Sequence, residues 1–410
     1  MDTAEEFAPL VLMVLVVCVS PLLARASRGW VPDTVWLLLG GLLIGPSVLG
    51  LAAPSESLGL LSEIGLGLLF LLAGFEIDPQ AMRSRQGRLA WLVWAVSFAL
   101  AVVFTAVFAG EIGFFGWAAV GIALTSTALG TLLPILSNAG VLRTPVGAGT
   151  MVHGAVGELG PVLAMALLLT GRDFSLNALV LVAFVIIMVL TVVLPLHLGS
   201  RIPALRRALI DGASGTSQLV LRVIMLVLIT LMFLSAVLDL DVVLGAFIAG
   251  MLVRRIAPAE ATDRLETGLQ TLGFSFFIPV FFVYSGMGIA VAAVAEAPLM
   301  LLGFFAAIVL LRGLPLVLGE RFLHITPGVT GLRQQTQIGL YGATGLPIIV
   351  AVTSLAESSE LITAEVGSLL VLAGACTVLI LPALAALLQA TAPTTGTDSA
   401  EAGPAVDEPR

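Results

Sequence analysis

No lysine occurs anywhere in the 410 residues, so all 18 basic side chains are arginine. Charge of either sign is scarce, at 11% of residues, and there are only two cysteines, three histidines and two tyrosines. Each shortage removes a class of function. With so little charge and a net of −8, the chain offers no cationic face for nucleic acid. Cys18 and Cys376 lie in apolar runs, which reads as two small buried hydrophobes rather than a disulfide or metal pair. The arginine-only, Ala/Gly/Leu/Val-rich composition points to a GC-rich bacterial genome.

What the chain has instead is apolar length. Hydrophobic residues make up 59%, glycine contributes 43 positions, and apolar runs recur from one end almost to the other. That composition predicts an all-α integral membrane protein of the bacterial plasma (inner) membrane. Thirteen spans can be counted, at 7–24, 35–51, 59–77, 89–109, 115–136, 147–170, 176–198, 219–238, 241–253, 272–291, 297–318, 334–355 and 365–389. Alternating the loops gathers Arg25, Arg83, Arg143, Arg254, Arg333 and eleven further arginines on one side, leaving Arg172 opposite and Arg312 inside a span. The arginine-rich side is expected to be cytoplasmic, with the N-terminus outside and the C-terminus cytoplasmic. Residues 1–390 then form one transmembrane domain, and 391–410, polar and rich in Pro, Gly and Thr, a disordered cytoplasmic tail.

Short segments recur. FLLAGFEI at 70–77 matches FVYSGMGI at 282–289, and GGLLIG at 40–45 matches GAFIAG at 245–250. The matched spans are seven apart, an odd number, so spans 1–6 and 8–13 are expected to be inverted-topology six-helix repeats joined by span 7 as a linker helix. The same offset pairs spans 5 and 12, which carry TSTALGTLLP at 125–134 and YGATGLP at 341–347. Proline supplies no N–H, so Pro134 frees the Gly130 carbonyl and Pro347 that of Ala343. Thr125, Ser126, Thr127, Thr344 and Gly345 beside these prolines complete the pattern of two crossed broken helices lining a site. Close helix packing by small residues is the alternative reading.

Glu158 stands in HGAVGELGPVLAMALLL at 153–169. It lies eleven residues into its span, ~16 Å deep at 1.5 Å per residue and close to mid-bilayer. An ionisable group there marks function by default. Gly154, Gly157 and Gly160 leave room around it, and Pro161 frees the Gly157 carbonyl. A carboxylate among hydroxyl and carbonyl oxygens can hold a proton or a hard monovalent cation in turn, which is the elementary chemistry of proton-coupled antiport. Glu158, Thr125, Ser126 and Thr127 are therefore the expected proton- and cation-binding set, with Glu158 and Thr127 as ligands of the Na+ or K+ ion; no cofactor is called for. Arg312, in AAIVLLRGLPLVL at 306–318, is either an intramembrane counter-charge or a snorkelling side chain. His153 is about 140° around the helix from Glu158, too far to pair with it, but able to sense pH. Glu76 and Glu63 read as solvated helix ends.

With these residues in view the chain resembles the monovalent cation:proton antiporter-2 family, which includes the Kef-type proteins and other sodium/proton exchanger domains. LLLGGLLIGPSVLG at 37–50, EIGLGLLFLLAGFEID at 63–78, TSTALGTLLPIL at 125–136, LGAFIAGMLV at 244–253 and FFIPVFFVYSGMGI at 276–289 carry the resemblance. It implies a homodimer, an interface domain, a mobile core and elevator-like alternating access, with the essential carboxylate on Glu158 and the intramembrane cation on Arg312. The family usually has Asp, preceded by Asp, Asn or Gln, where this chain has Gly157 and Glu158. Lacking that second carboxylate resembles the electroneutral members, so one proton per cation is expected. No nucleotide-binding regulatory domain is expected beyond residue 390, which argues against glutathione-gated potassium efflux. Two other functions compete with this reading. A sodium-coupled organic-anion symporter of similar fold needs a larger polar or aromatic pocket than spans 5 and 12 advertise. An intramembrane serine hydrolase could use Ser214 in GASG, but no histidine in a later span supplies a base, so no enzyme is expected.

Overall fold

The computed structural model describes residues 3–27, 31–77, 79–108, 112–168, 174–190, 219–257 and 262–390. All regular structure among them is helical. In chain order the helices are α1 (Thr3–Ala26), α2 (Asp33–Ile44), α3 (Glu56–Glu76), α4 (Pro79–Arg83), α5 (Arg85–Phe108), α6 (Gly113–Thr125), α7 (Leu129–Asn138), α8 (Pro145–Leu168) and α9 (Phe174–Met188). There follow α10 (Leu219–Val237), α11 (Val242–Ile256), α12 (Thr262–Met287), α13 (Val291–Glu296), α14 (Pro298–Leu323), α15 (Leu332–Gly342), α16 (Leu346–Ser358) and α17 (Ala364–Ala390). The expected tail, Ser214 and residues 191–198 of the seventh span lie outside the described residues.

Ten segments among the described residues are long and apolar enough to cross a bilayer, so this is a multi-pass membrane protein. The remaining expected spans are shorter or incompletely described. Span 35–51 contracts to α2, 12 residues long. Gly45 and Pro46 end it, because the residue before a proline is pushed out of the helical region, and the chain folds back so that the Leu51 and Ala52 N–H groups bond the Ile44 carbonyl at 3.0 and 2.9 Å. Span 241–253 becomes α11, 15 residues long and capped by Asp241, whose carboxylate accepts the Val243 N–H at 2.8 Å. In the other direction, α12 begins ten residues before the expected 272. Its first turns, TDRLETGLQTL, are too polar for a hydropathy reading to register.

α12 and α14 each carry a widened turn, at Gly273–Phe277 and Val309–Gly313. Both stand just before a proline. Pro279 and Pro315 cannot donate to the carbonyl four residues back, and the residue before each bonds five back instead, Ile278 to Gly273 and Leu314 to Val309. The second widened turn contains Arg312 and aims it inward, where it is fully buried.

Glycines set the tightest packing. A Cβ on Gly41 would strike the Val283 carbonyl, and one on Gly286 the Leu38 carbonyl, so α2 and α12 touch backbone to backbone. Gly74 against Phe247 and Gly250 against Leu71 do the same for α3 and α11. Outward faces are apolar, with Phe7, Val11, Leu15 and Leu22 of α1 all exposed. The buried charged residues lie elsewhere, Glu158 on α8 and Arg312 and Glu320 on α14, near the interruptions flanked by α6, α7, α15 and α16.

Candidate functional site

The site grows from two interruptions that abut. α6 stops at Thr125 and α7 starts at Leu129, while α15 stops at Gly342 and α16 starts at Leu346. Across the gap the Ala128 N–H bonds the Thr344 carbonyl at 3.0 Å, and the Ser126 hydroxyl, which donates to the Ala123 carbonyl at 2.9 Å, lies 3.4 Å from the Gly345 carbonyl. Backbone groups that would be stranded at two helix breaks thus satisfy each other. Pro347 sits in the first turn of α16, where a helix needs no N–H, and marks its start as the sequence implied. Pro134 does not mark the other break. It lies inside α7, with Gly130 in that helix's first turn, and the interruption falls upstream at 126–128.

The third element is α8, which runs through Pro161 without stopping. The Gly157 carbonyl that Pro161 leaves free accepts the Thr127 N–H at 2.8 Å. One proline-vacated acceptor in α8 therefore docks the first interruption beside Glu158. Glu158 is 4% exposed, the Leu129 N–H at the start of α7 donates to its carboxylate, and Oε2 is buried with no partner. The positive end of a helix dipole faces the carboxyl group there.

Arg312 meets the opposite kind of end. Its Nε and Nη2 donate to Thr127 Oγ1 at 3.1 and 3.0 Å, Nη2 to the His153 carbonyl at 2.9 Å, and Nε to the Gly342 carbonyl at 3.3 Å. Gly342 closes α15, so the guanidinium lies on that helix's negative end. Thr127 Oγ1 also donates to the Gly342 carbonyl. No ion pair joins Arg312 to Glu158, and Arg312 Nη1, like Glu158 Oε2, is buried and unpartnered. Arg312 does press on Gly157, the residue before Glu158. A Cβ there would collide with Arg312 Nη2 and Thr127 Oγ1, so the guanidinium occupies the space that a side chain at 157 would need.

The geometry sorts the residues expected to form the site. Glu158, Thr125, Ser126, Thr127, Arg312, Gly157, Ala343, Thr344 and Gly345 come together at the abutting breaks. Thr125 and Thr344 donate their hydroxyls to their own helices, to the Gly121 and Tyr341 carbonyls, each at 2.8 Å. Their oxygens keep lone pairs for a further partner. Thr127 differs: in this conformation two N–H groups of Arg312 take the lone pairs of its hydroxyl, which leaves it an anchor for the guanidinium rather than a free cation ligand. Among the described residues no group of three or more His, Cys, Asp or Glu side chains comes together. An alkali ion would therefore rely on one carboxylate with hydroxyl and carbonyl oxygens, a hard donor set suited to it.

Two features escape sequence reasoning. Glu76, read as a solvated cap, is mostly buried, its Oε2 is without a partner, and its charge bears on Glu158. His153 pairs with Glu320, Nε2 to Oε1 at 2.9 Å, both fully buried. The signal for that pair was one carboxylate late in an apolar span, Glu320 within 298–323, which hydropathy alone cannot link to a histidine 167 residues earlier.

Residues 12–388 match the family model for the transmembrane sodium/hydrogen exchanger. The chain belongs to the sodium/hydrogen exchanger family. Its similarity to NhaS4 of Synechocystis sp. (strain ATCC 27184 / PCC 6803 / Kazusa), named a Na+/H+ antiporter, is 27% identity over 280 residues, 62% of this chain and 67% of that one. To YjbQ of Bacillus subtilis (strain 168), which carries a provisional Na+/H+ antiporter name, it is 26% identical over 68% of this chain and 47% of the relative. The match thus spans about half of YjbQ. Among solved structures this chain shares its fold with the sodium proton antiporter MjNhaP1 of Methanocaldococcus jannaschii. The TM-score is 0.62 at 17% identity, over 94% of this chain and 99% of that one.

Proposed function

We propose that this exchanger is a secondary active antiporter that trades Na+ or K+ for H+ across the bacterial plasma membrane by alternating access. The observation that carries this reading is Glu158: a buried carboxylate with an unpartnered oxygen, held at the start of α7 beside two abutting helix breaks and left unpaired by the nearest arginine. A proton and an alkali ion compete for it, while Thr125 and Ser126 offer further oxygens. Arg312 holds the negative helix end and Thr127 in place without quenching the carboxylate. Family membership supports a transporter rather than an enzyme.

Thirteen spans in two inverted repeats fit the packing. In the matched segments Gly250 of α11 abuts the Leu71 carbonyl of α3, and Gly45, its counterpart just after α2, abuts Met287 of α12. Each repeat thereby inserts its second helix against the third helix of the other. The N-terminus outside, the C-terminus inside, a homodimer and an elevator-like core belong to the same reading. So do one domain at 1–390 and a tail at 391–410.

Purified protein in liposomes with an internal pH dye tests the exchange. Na+ or K+ pulses should move the internal pH for the wild type and not for Glu158→Gln; a response that persists in the variant removes Glu158 from the mechanism. With the vesicles voltage-clamped, rates indifferent to potential support one proton per cation. Glu76 favours a second reading, in which two carboxylates load together, and rates that follow the potential would select it.

A further inference from the structure

His153 is gripped twice by α14. Its carbonyl holds Arg312 Nη2 at 2.9 Å, and its ring Nε2 lies 2.9 Å from Oε1 of Glu320, eight residues further along the same helix. Glu320 accepts two more bonds from Thr326, from the hydroxyl at 2.7 Å to Oε1 and from the N–H at 3.1 Å to Oε2. His153 and Glu320 are fully buried and Thr326 is 4% exposed. The ionisable groups acting on His153 are Glu320 and Arg312, both from α14. None of these contacts involves Glu158, which lies five residues further along α8 and faces another direction.

The donors around Glu320 fix how the pair is read. Thr326 supplies one O–H and one N–H, so the carboxylate accepts from every side and is ionised, and His153 donates through Nε2. Nδ1 is then the ring's free lone pair, and it is buried with no partner. A second proton on the ring must go to Nδ1, which would become a buried donor with nothing to receive it. Such a donor is costly, whereas an imidazolium beside Glu320 is welcome, so protonation drives the ring to seek an acceptor while its Nε2 stays near the carboxylate. The residue that moves is the one whose carbonyl holds Arg312.

We propose that His153, Glu320 and Thr326 form a second proton-binding site, separate from Glu158, through which acidity loosens the hold on Arg312 and slows the exchanger. The proposal rests on the exchange reading above. Protonation is not consumed in transport here; it sets the fraction of molecules with the guanidinium seated across Thr127, His153 and Gly342.

The test uses the full chain in liposomes, with exchange measured at saturating Na+ from acid to alkaline pH and each profile normalised to its own maximum. His153→Gln keeps a donor toward Glu320 that cannot titrate, and its acid limb should move down by about one pH unit. Glu320→Gln removes the charge that favours the imidazolium and should shift the limb the same way. Thr326→Val deprives Glu320 of a donor, makes the imidazolium more valuable to it, and should shift the limb up. A merely structural role would not give opposite signs. A second readout needs no transport: 15N-histidine spectra of the wild type, with the His153 signal identified by its loss in His153→Gln, should show that ring titrating. Three variant profiles that all coincide with that of the wild type, or a ring that stays neutral down to about pH 5, overturn the proposal. If the wild type shows no cation-driven pH change at all, the exchange reading fails instead, and the spectra still decide whether the site binds a proton.

Discussion

Gly157→Ala adds one methyl at the most crowded point of the site, against Arg312 Nη2 and the Thr127 side chain. Two responses are open. If the guanidinium retreats, Nη2 loses its bonds to Thr127 Oγ1 and the His153 carbonyl, each charge-assisted and worth about 1.5–3 kcal/mol, or about 3–6 kcal/mol together. If the backbone yields, overpacking costs about 1–3 kcal/mol. The cheaper response decides, so the described conformation should lose about 1–3 kcal/mol, a 5- to 150-fold change in any equilibrium it takes part in. Alanine's better helix propensity, about 1 kcal/mol, works the other way. Gly303→Ala measures that term alone, because nothing lies within 4 Å of a methyl there. Thermal melting in one detergent and initial exchange rates in liposomes should separate the two variants, with Gly157→Ala less stable and at least about fivefold slower than Gly303→Ala. If both melt and exchange alike, the guanidinium does not sit where the reasoning requires.

Other outcomes follow from the same contacts. Glu76→Gln should raise the cation concentration for half-maximal exchange several-fold and keep most of the maximal rate, unlike Glu158→Gln; concentration series in liposomes distinguish them. Arg312→Lys replaces a fork that reaches one hydroxyl and two carbonyls with a single ammonium, and should lower thermal stability by the equivalent of about 2–5 kcal/mol, read by melting. Pro161→Ala restores an N–H that competes with Thr127 for the Gly157 carbonyl. Exchange should slow although helix propensity improves, so a variant both more stable and faster would contradict the docking role of that carbonyl. Gly286→Val should damage the α2–α12 contact more than any lipid-facing substitution, seen as lost monodisperse protein in size-exclusion chromatography.

Much of the site was legible because lipid makes polar atoms conspicuous. Glu158 and Arg312 stand out in apolar runs, and Pro161 announced the free Gly157 carbonyl that Thr127 in fact uses. Pro134 misled because proline marks a lost hydrogen bond, not the place where a helix yields; α7 absorbs the loss, and the chain breaks where Thr344 and Gly157 offer outside acceptors. Glu76 was missed since a carboxylate at the end of an apolar run looks the same whether it meets water or another helix. The polar opening of α12 and the link from His153 to Glu320 depend on tertiary neighbours, which periodicity along one strand of sequence does not encode.

The separation of Arg312 from Glu158 has an electrical consequence. A guanidinium whose partners are a hydroxyl and two carbonyls keeps its full positive charge in every step. On the exchange reading proposed above, Glu158 bearing a proton and Glu158 bearing an alkali ion would both be neutral, and the two loaded forms would travel as the same +1 body. The unloaded form alone differs, by one unit. A voltage across the membrane would then leave tight exchange untouched and act on slippage, which makes the current of a leaky variant a direct count of empty crossings.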